Sequence, residues 1–230
     1  HDEAPKSTSL KEGMDTLKDV IITFFQKKNI WFSLLFIVFY RFAEGQAIKI
    51  TPLFFKAQRT EGGLGLSTSE IGLLYGVFGA IAFVLGSIVA GHFVSKKGLD
   101  RRTLMILCAF FNVPFVAYAF LAITLPTNLY LIAAAVAIEY FGYGFGFIGI
   151  ILFIMQNIAP GKYKMAHYAF GSGLVSLGFM IPSMISGWLS DHLGYKEFFI
   201  WVLISTIPAF LVSWWVPLRK PEKEHTDENN

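Results

Sequence analysis

The sequence predicts an all-α membrane protein in which six transmembrane helices form an inverted repeat of three plus three. The chain of 230 residues is 54% hydrophobic with a mean hydropathy of +0.55, which is more apolar than a soluble domain. Six apolar stretches alternate with short polar connections that hold most of the charge. A glycine-containing segment at the end of the second stretch also recurs at the end of the fifth.

The composition also excludes several classes of function. The formal net charge is +3, and the basic residues form short clusters between apolar runs, so we expect no nucleic-acid partner. Cys108 is the only cysteine, so we expect no disulfide, thiolate metal site or cofactor. A nucleotide-binding P-loop and the common hydrolase motifs are absent from the sequence. We therefore expect no catalytic residues, and an ion gradient rather than ATP as the energy source.

Residues 1–28 are predicted to be a cytoplasmic linker with one amphipathic helix. Apolar residues recur at steps of three and four: Leu10, Met14, Leu17, Ile21 and Phe24. This spacing is typical of a helix on a membrane surface, although a helical linker without a packing partner has the same pattern. The chain starts at His1 without a secretion signal, so we expect it to be part of a longer protein.

Six spans are long enough to cross a hydrocarbon core of ~30 Å, which takes about 20 apolar residues in a helix. We predict them at 29–55, 69–94, 103–124, 128–158, 166–189 and 197–218. They form one bundle, 29–218, made of the repeats 29–124 and 128–218. Residues 219–230 are predicted to be a cytoplasmic tail.

The Lys and Arg residues predict the orientation of the bundle. If the six spans alternate in direction, most basic residues fall on one side: Lys27, Lys28, Lys96, Lys97, Arg101, Arg102, Lys162, Lys164, Arg219, Lys220 and Lys223. The opposite side has only Lys56, Arg59 and Lys196. Because cytoplasmic loops are enriched in Lys and Arg, we expect both ends of this chain to face the cytoplasm.

The internal repeat follows the second and fifth spans. Gly91 to Gly98 reads GHFVSKKG, and Gly187 to Gly194 reads GWLSDHLG. Both segments fit Gly-x-x-x-[Ser/Asp]-[Lys/His]-x-Gly. They lie three spans apart and therefore on opposite sides of the membrane, which indicates an inverted-topology repeat.

The first span carries three charges at membrane depth: Arg41, Glu44 and Lys49. Each such charge costs ~2.5–3.5 kcal/mol at the centre of a bilayer on insertion scales. At ~100° per residue the three side chains share one side of the helix with Gly45. They must therefore face other protein or a water-filled cavity, which is typical of transport proteins.

Six spans with a loop of this kind after the second resemble one half of a major facilitator superfamily transporter. The basic linker resembles the central cytoplasmic loop of that family, which implies the C-terminal half with spans seven to twelve. The resemblance makes Gly91, Lys96, Lys97 and Gly98 a gating loop. Ser95 stands where the family usually has Asp, a departure that leaves the gating contact of this loop in doubt.

Further motifs resemble muropeptide permeases of the AmpG type. They are Tyr40-Arg41-x-x-Glu44 with Thr51-Pro52-Leu53-Phe54, Leu66-Ser67-x-x-Glu70-Ile71-Gly72, Ile138-Glu139-Tyr140 with Gly142, Gly144 and Gly146, and Leu193-Gly194-Tyr195-x-x-Phe198-Phe199. They cover most of residues 29–218 in the same order. Eukaryotic acetyl-CoA transporters belong to the same broader group, so the family does not fix the substrate.

The resemblance implies that the first helix of each repeat lines a central cavity, and the intramembrane charges lie on those two helices. Arg41 or Lys49 could contact an anionic substrate group, and Glu44 or Glu139 could take up a coupling proton. The Arg41–Glu44 spacing is equally typical of a structural ion pair. Glu139 is the stronger proton candidate because no basic residue lies near it in its own helix.

The fourth span adds candidates on the same stripe as Glu139. Tyr143 offers a ring face and a hydroxyl to a sugar, and Asn157 offers an amide at the cytoplasmic end. Gly142 and Gly146 would let a sugar ring or a neighbouring helix approach closely, and plain helix packing explains them equally well.

Together these features predict a proton-coupled importer of cell-wall muropeptides in a bacterial inner membrane. The expected partners are N-acetylglucosaminyl-anhydro-N-acetylmuramic acid with or without its peptide, protons, membrane lipid and a missing N-terminal half of six helices. The alternatives are an importer of another disaccharide or glycan fragment, an acyl-CoA carrier, and a membrane sensor that transports nothing.

Overall fold

The computed structural model describes residues 10–219, which are helical and contain no β-strand within that range. Helix α1, Leu10–Phe25, is followed by a turn at Asn29, whose φ is 61°. Only its C-terminal part is packed, because Val20 and Phe24 are buried whereas Met14 is 71% exposed. The predicted linker at 1–9 lies outside the described residues.

The first three spans are divided into shorter helices. Span 1 consists of α2, Ile30–Tyr40, and α3, Phe42–Lys56. A 3-10 turn, Arg59–Glu61, leads to span 2, which consists of α4, Thr68–Leu73, a π-helical turn, Leu74–Gly79, and α5, Ala80–Lys97. Span 3 consists of α6, Arg101–Asn112, and α7, Phe115–Thr124.

The other three spans repeat this arrangement. Span 4 consists of α8, Leu129–Phe153, and a π-helical turn, Ile154–Ile158. Span 5 is the single long helix α9, Lys164–Leu193. Span 6 consists of α10, Tyr195–Ile204, and α11, Ile207–Trp215. The observed bounds lie within a few residues of the predicted ones.

Spans 2 to 6 are each long and apolar enough to cross a membrane. Span 1 reaches this limit only together with α1, from which it is bent by 88°. Its charged residues lower its hydropathy, and its helix is interrupted at Arg41, where φ is −105° and ψ is 10°. The structure thus has five or six membrane-spanning helices, depending on how this bent pair is counted.

The packing of the spans has a two-fold pattern. Span 4 lies between spans 2 and 3, and span 1 lies between spans 5 and 6, while spans 3 and 6 contact each other. Exchanging span 1 with 4, span 2 with 5 and span 3 with 6 leaves this pattern unchanged. The predicted inverted repeat is therefore confirmed at the level of helix packing.

Individual atoms follow the same pattern. The Ser87 hydroxyl of span 2 donates to the Gly144 carbonyl of span 4, with an oxygen–oxygen distance of 3.2 Å. The Ser183 hydroxyl of span 5 donates to the Gly45 carbonyl of span 1 at 2.6 Å. The two serines precede Gly91 and Gly187 by the same number of residues. The repeat found in the sequence therefore extends into the helices before it.

Contacts between loops confirm that successive spans alternate in direction. The Lys27 ammonium donates to the Pro160 carbonyl at 2.6 Å, and the Arg101 guanidinium donates to the Ser213 carbonyl at 2.6 Å. At the opposite end, Arg59 donates to the Leu125 carbonyl at 2.7 Å. The predicted basic clusters thus share one end of the bundle, with Lys220 and Lys223 outside the described residues.

Candidate functional site

A cavity of about 270 Å³ lies among spans 1 to 4, at the depth of the intramembrane charges. Its polar lining consists mainly of two carboxyl groups and four tyrosines: Glu44, Glu139, Tyr75, Tyr118, Tyr140 and Tyr143. Apolar side chains and Thr51 complete the wall. The two first helices of the repeats thus meet at one cavity, where a ligand would contact acidic and aromatic groups together.

Arg41 and Glu44 form the ion pair that their spacing predicts. The guanidinium donates from Nε to Oε2 at 2.6 Å and from Nη2 to Oε1 at 2.7 Å. The Arg41 carbon Cζ also lies 5.1 Å from the ring centre of Phe147 and 4.7 Å from that of Phe179. Two hydrogen bonds and two cation–π contacts therefore stabilise this charge at the interruption between α2 and α3.

Glu139 has a hydrogen-bond partner that sequence reasoning missed. The Tyr118 hydroxyl of α7 donates to Glu139 Oε2 at 2.9 Å, and the Glu139 side chain is only 8% exposed. Among the described residues, Arg41 and Glu44 form the only ion pair, so Glu139 has no cationic partner there. Tyr118 lies on a different span from Glu139, and its sequence neighbours are apolar, so no local pattern could have identified it.

Tyr75, Tyr140 and Tyr143 form an aromatic wall of the cavity. Tyr75 lies in the π-helical turn of span 2 and stacks on Phe55, with ring centres 5.8 Å apart at an angle of 17°. Its ring centre lies 5.7 Å from that of Tyr140, which is 6.4 Å from Tyr143. Sequence analysis found only Tyr143, because a π-helical turn changes the direction of side chains that a regular helix would predict.

Two predicted site residues lie away from this cavity. Lys49 is exposed and has no hydrogen bond or ion pair among the described residues, so it does not join Arg41 and Glu44. The Asn157 amide donates to the Phe153 carbonyl at 3.3 Å and accepts from the Arg219 backbone at 2.6 Å. Asn157 lines a separate cavity at the end of the bundle.

The glycines on the Glu139 stripe serve helix packing. A Cβ atom at Gly142 would collide with the Phe110 carbonyl and Pro114, and one at Gly146 would collide with Phe111. Both glycines therefore face α6 rather than a ligand, which agrees with the packing alternative for these positions.

The segment after span 2 ends α5 at Gly98, whose φ is 70°. The Lys97 ammonium lies 5.1 Å from the ring centre of Phe93, and the Ser95 hydroxyl donates back to the His92 carbonyl at 2.9 Å. A Cβ atom at Gly91 would have no neighbour within 4 Å, and Lys96 is exposed. These contacts are all local, so any gating contact of this segment would be to other parts of a longer protein.

A second polar cluster was also missed. Gln46 is fully buried and accepts from the Trp201 indole nitrogen at 2.8 Å, while its own amide lies 3.4 Å from the Ser205 hydroxyl. These bonds join span 1 to span 6, so the cluster holds the charged helix in place rather than lining the cavity.

Comparison with known proteins identifies the family. Residues 20–230 match the family model of the Major Facilitator Superfamily. The chain belongs to this superfamily. It is a multi-pass membrane protein, and this membership indicates transport rather than catalysis.

Several relatives share the AmpG name. The chain is 24% identical to an anhydromuropeptide permease of Escherichia coli (strain K12), covering 91% of this chain and 42% of the relative. It is also 24% identical to the putative transporter AmpG 1 of Rickettsia felis, covering 90% of this chain and 43% of that protein. An uncharacterized protein of Haemophilus influenzae is 23% identical. The chain spans less than half the length of these relatives.

Proposed function

We propose that this chain is the C-terminal half of a proton-coupled secondary transporter that imports muropeptides across a bacterial inner membrane. The substrate would be N-acetylglucosaminyl-anhydro-N-acetylmuramic acid with or without its peptide. The names of the relatives favour this substrate, and the six spans fit half of their length. A second set of six helices would complete the central cavity, and the basic end would face the cytoplasm.

The observation that carries this proposal is the combination of groups in the cavity. A sugar ring presents apolar C–H faces and hydroxyl groups, which suit the rings and hydroxyls of Tyr143 and its aromatic neighbours. A peptide carboxylate suits the planar guanidinium of Arg41, which could exchange Glu44 for the substrate. The cavity thus offers one group for each part of a muropeptide.

Glu139 is the proposed proton site, with Glu44 as the alternative. A buried carboxyl group that has a neutral hydrogen-bond partner and no cation can be occupied by a proton without breaking an ion pair. Glu44 would first have to separate from Arg41. Lys49 and Asn157 stay proposed substrate contacts only if the complete protein brings substrate to their positions outside the cavity.

The domain boundaries are part of the same proposal. Residues 1–28 would be the cytoplasmic linker between two halves, 29–124 and 128–218 the two repeats of the bundle, and 219–230 a cytoplasmic tail. The segment with Gly91, Lys96, Lys97 and Gly98 would act as a gating loop by contacting the other half.

The test is uptake of labelled anhydromuramyl disaccharide by vesicles that contain the full-length protein, with and without an imposed proton gradient. We expect uptake that depends on the gradient and is lost in Glu139→Gln. Glu70→Gln is the matched control, because Glu70 is an exposed carboxylate in the capping box of α4 and Gln keeps that box.

Each outcome separates one part of the proposal. Gradient-dependent uptake that survives Glu139→Gln would transfer the proton to Glu44 or to the other half. A folded protein without uptake would reject the muropeptide and direct the assay to other disaccharides. Uptake of none of these sugars would favour a sensor, which predicts no effect of either substitution on transport.

A further inference from the structure

A second cavity, of about 520 Å³, opens at the basic end of the bundle. It lies where the turn between α1 and α2, the connection between spans 4 and 5, and the segment after α11 meet. Its polar lining consists of Lys27, Lys28, Asn29, Ser33, Asn157 and Arg219. It shares no lining residue with the cavity around Glu139.

The charges of this cavity are all of one sign. None of the described residues that line it is acidic, whereas Lys27, Lys28 and Arg219 are basic. Burial lowers the pKa of Lys27 below its ordinary value, and the Arg219 charge lowers it further. Grouping cations in this way destabilises the bundle unless an anion lies among them.

Lys27 is positioned to bind an anion. Its ammonium uses one hydrogen-bond donor on the Pro160 carbonyl at 2.6 Å. An ammonium has three donors, so two stay available toward the cavity. Lys28 is exposed beside it, and the Ser33 hydroxyl, which lies 3.5 Å from the Asn29 carbonyl, lines the same wall. These groups match a phosphate with adjoining hydroxyl or ester oxygens.

The position of the cavity indicates where the anion comes from. Trp31 near the start of α2 is 70% exposed, and Trp214 and Trp215 at the end of α11 are 60% and 65% exposed. Exposed tryptophans at the ends of spans are typical of the level of lipid headgroups. The cavity lies at this same level, because Lys27 and Lys28 precede α2 directly and Arg219 follows α11.

We propose that this cavity binds the phosphate of an anionic phospholipid headgroup through Lys27 and Lys28. Basic pockets between helices at the cytoplasmic side of a bundle are suited to such headgroups. A bound lipid would neutralise the cations and join three separate segments at one end of the bundle. This role does not depend on the transported substrate. It assigns Asn157 to the wall of the lipid site rather than to substrate.

The experiment measures lipid binding to the full-length protein in detergent by native mass spectrometry, with phosphatidylglycerol added and phosphatidylcholine as the neutral comparison. We expect Lys27→Gln to weaken the binding of phosphatidylglycerol by about five-fold, the effect of one basic residue near a membrane surface. Arg102→Gln is the matched control, because it removes one exposed positive charge at the same end without lining the cavity.

Two further arms keep the result decisive. Lys28→Gln changes an exposed side chain and is expected to weaken binding even if Lys27→Gln impairs folding. Inorganic phosphate at millimolar concentration should leave phosphatidylglycerol bound, and its complete displacement would identify a site for a soluble anion instead. Equal losses in Lys28→Gln and Arg102→Gln would overturn the proposal, since they would show only general attraction between charges.

Discussion

Ser87 and Ser183 occupy equivalent positions in the two repeats, and each donates its hydroxyl to a glycine carbonyl of the helix that it crosses. The acceptors, Gly144 and Gly45, are also the positions where these helices approach most closely. A Cβ atom at Gly144 would collide with the Phe83 carbonyl, and one at Gly45 would lie 2.5 Å from the Phe179 carbonyl. Two matched crossings therefore hold together spans 2 and 4 and spans 1 and 5.

Replacing either glycine at these crossings should destabilise the bundle by a similar amount. We expect Gly45→Ala and Gly144→Ala each to lower the free energy of unfolding by about 1–3 kcal/mol, because a backbone carbonyl cannot move away as a side chain can. The measurement is thermal unfolding of the purified protein in detergent.

The control for these substitutions is Gly187→Ala on α9. A Cβ atom at Gly187 would have no neighbour within 4 Å, and alanine favours a helix over glycine by about 1 kcal/mol. We therefore expect this variant to be as stable as the original protein or slightly more stable. Equal losses at all three glycines would show that the crossings are not the cause.

Breaking the Arg41–Glu44 pair should cost more than removing it completely. Arg41→Gln leaves the Glu44 carboxylate, which is 3% exposed, without its cation. Removing one partner of a buried pair typically costs about 3–5 kcal/mol, whereas replacing both partners can be nearly neutral. We expect Arg41→Gln/Glu44→Gln to be more stable than Arg41→Gln alone in the same unfolding measurement.

This double-mutant cycle also tests the substrate role of Arg41. If the two effects on stability simply add, the residues do not depend on each other and the ion pair is not a structural unit. The double variant separates folding from transport, because a folded protein that has lost uptake would favour a contact between Arg41 and the substrate. Lys49→Gln is the comparison, since it removes an exposed charge from the same helix.

The hydrogen bond between Tyr118 and Glu139 should contribute to stability. Tyr118→Phe leaves a buried carboxyl group without its donor, and we expect a loss of about 1–3 kcal/mol. Tyr75→Phe is the control, because the Tyr75 hydroxyl lines the same cavity but has no hydrogen bond among the described residues. A loss as large in Tyr75→Phe would show that the cavity responds to any lost hydroxyl group.

The spans and their repeat could be predicted because both depend on local sequence. Apolar residues must cover the helices, and the recurrence of Gly91 at Gly187 reflects two equal crossings that each need a small residue. The Arg41–Glu44 pair was predictable for the same reason, because residues three apart on a helix lie side by side.

The shape of the site depends on contacts between distant segments, which the sequence does not display. Lys49 was assigned to the side of Arg41 and Glu44 by assuming one regular helix, but the helix is interrupted at Arg41 and Lys49 is exposed. Tyr75 reaches the cavity from a π-helical turn whose extra residue no periodicity predicts. Asn157 shares the stripe of Glu139 but lies too far along the helix to reach the same cavity.

The start of α6 should respond to pH through Asp100. Its carboxylate accepts from the Thr103 backbone nitrogen at 2.7 Å, and this bond holds the pKa of Asp100 below its ordinary value. A lowered pKa means that the stabilisation is present above the unfolded pKa of about 3.9 and is lost as the pH falls through the lower folded pKa. Removing this helix cap typically costs about 0.5–2 kcal/mol.

We therefore expect Asp100→Ala to unfold more easily than the original protein at pH 7, and the difference to decline as the pH falls below about 4. Asp100→Asn is the matched control, because its amide oxygen can accept the same hydrogen bond at every pH. The measurement is the difference in unfolding midpoint between each variant and the original protein from about pH 7 to about pH 3, a range that brackets the ordinary carboxyl pKa. A constant difference for Asp100→Ala would show that the ionised carboxylate is not the stabilising form, because a neutral cap would act equally at both ends of this range.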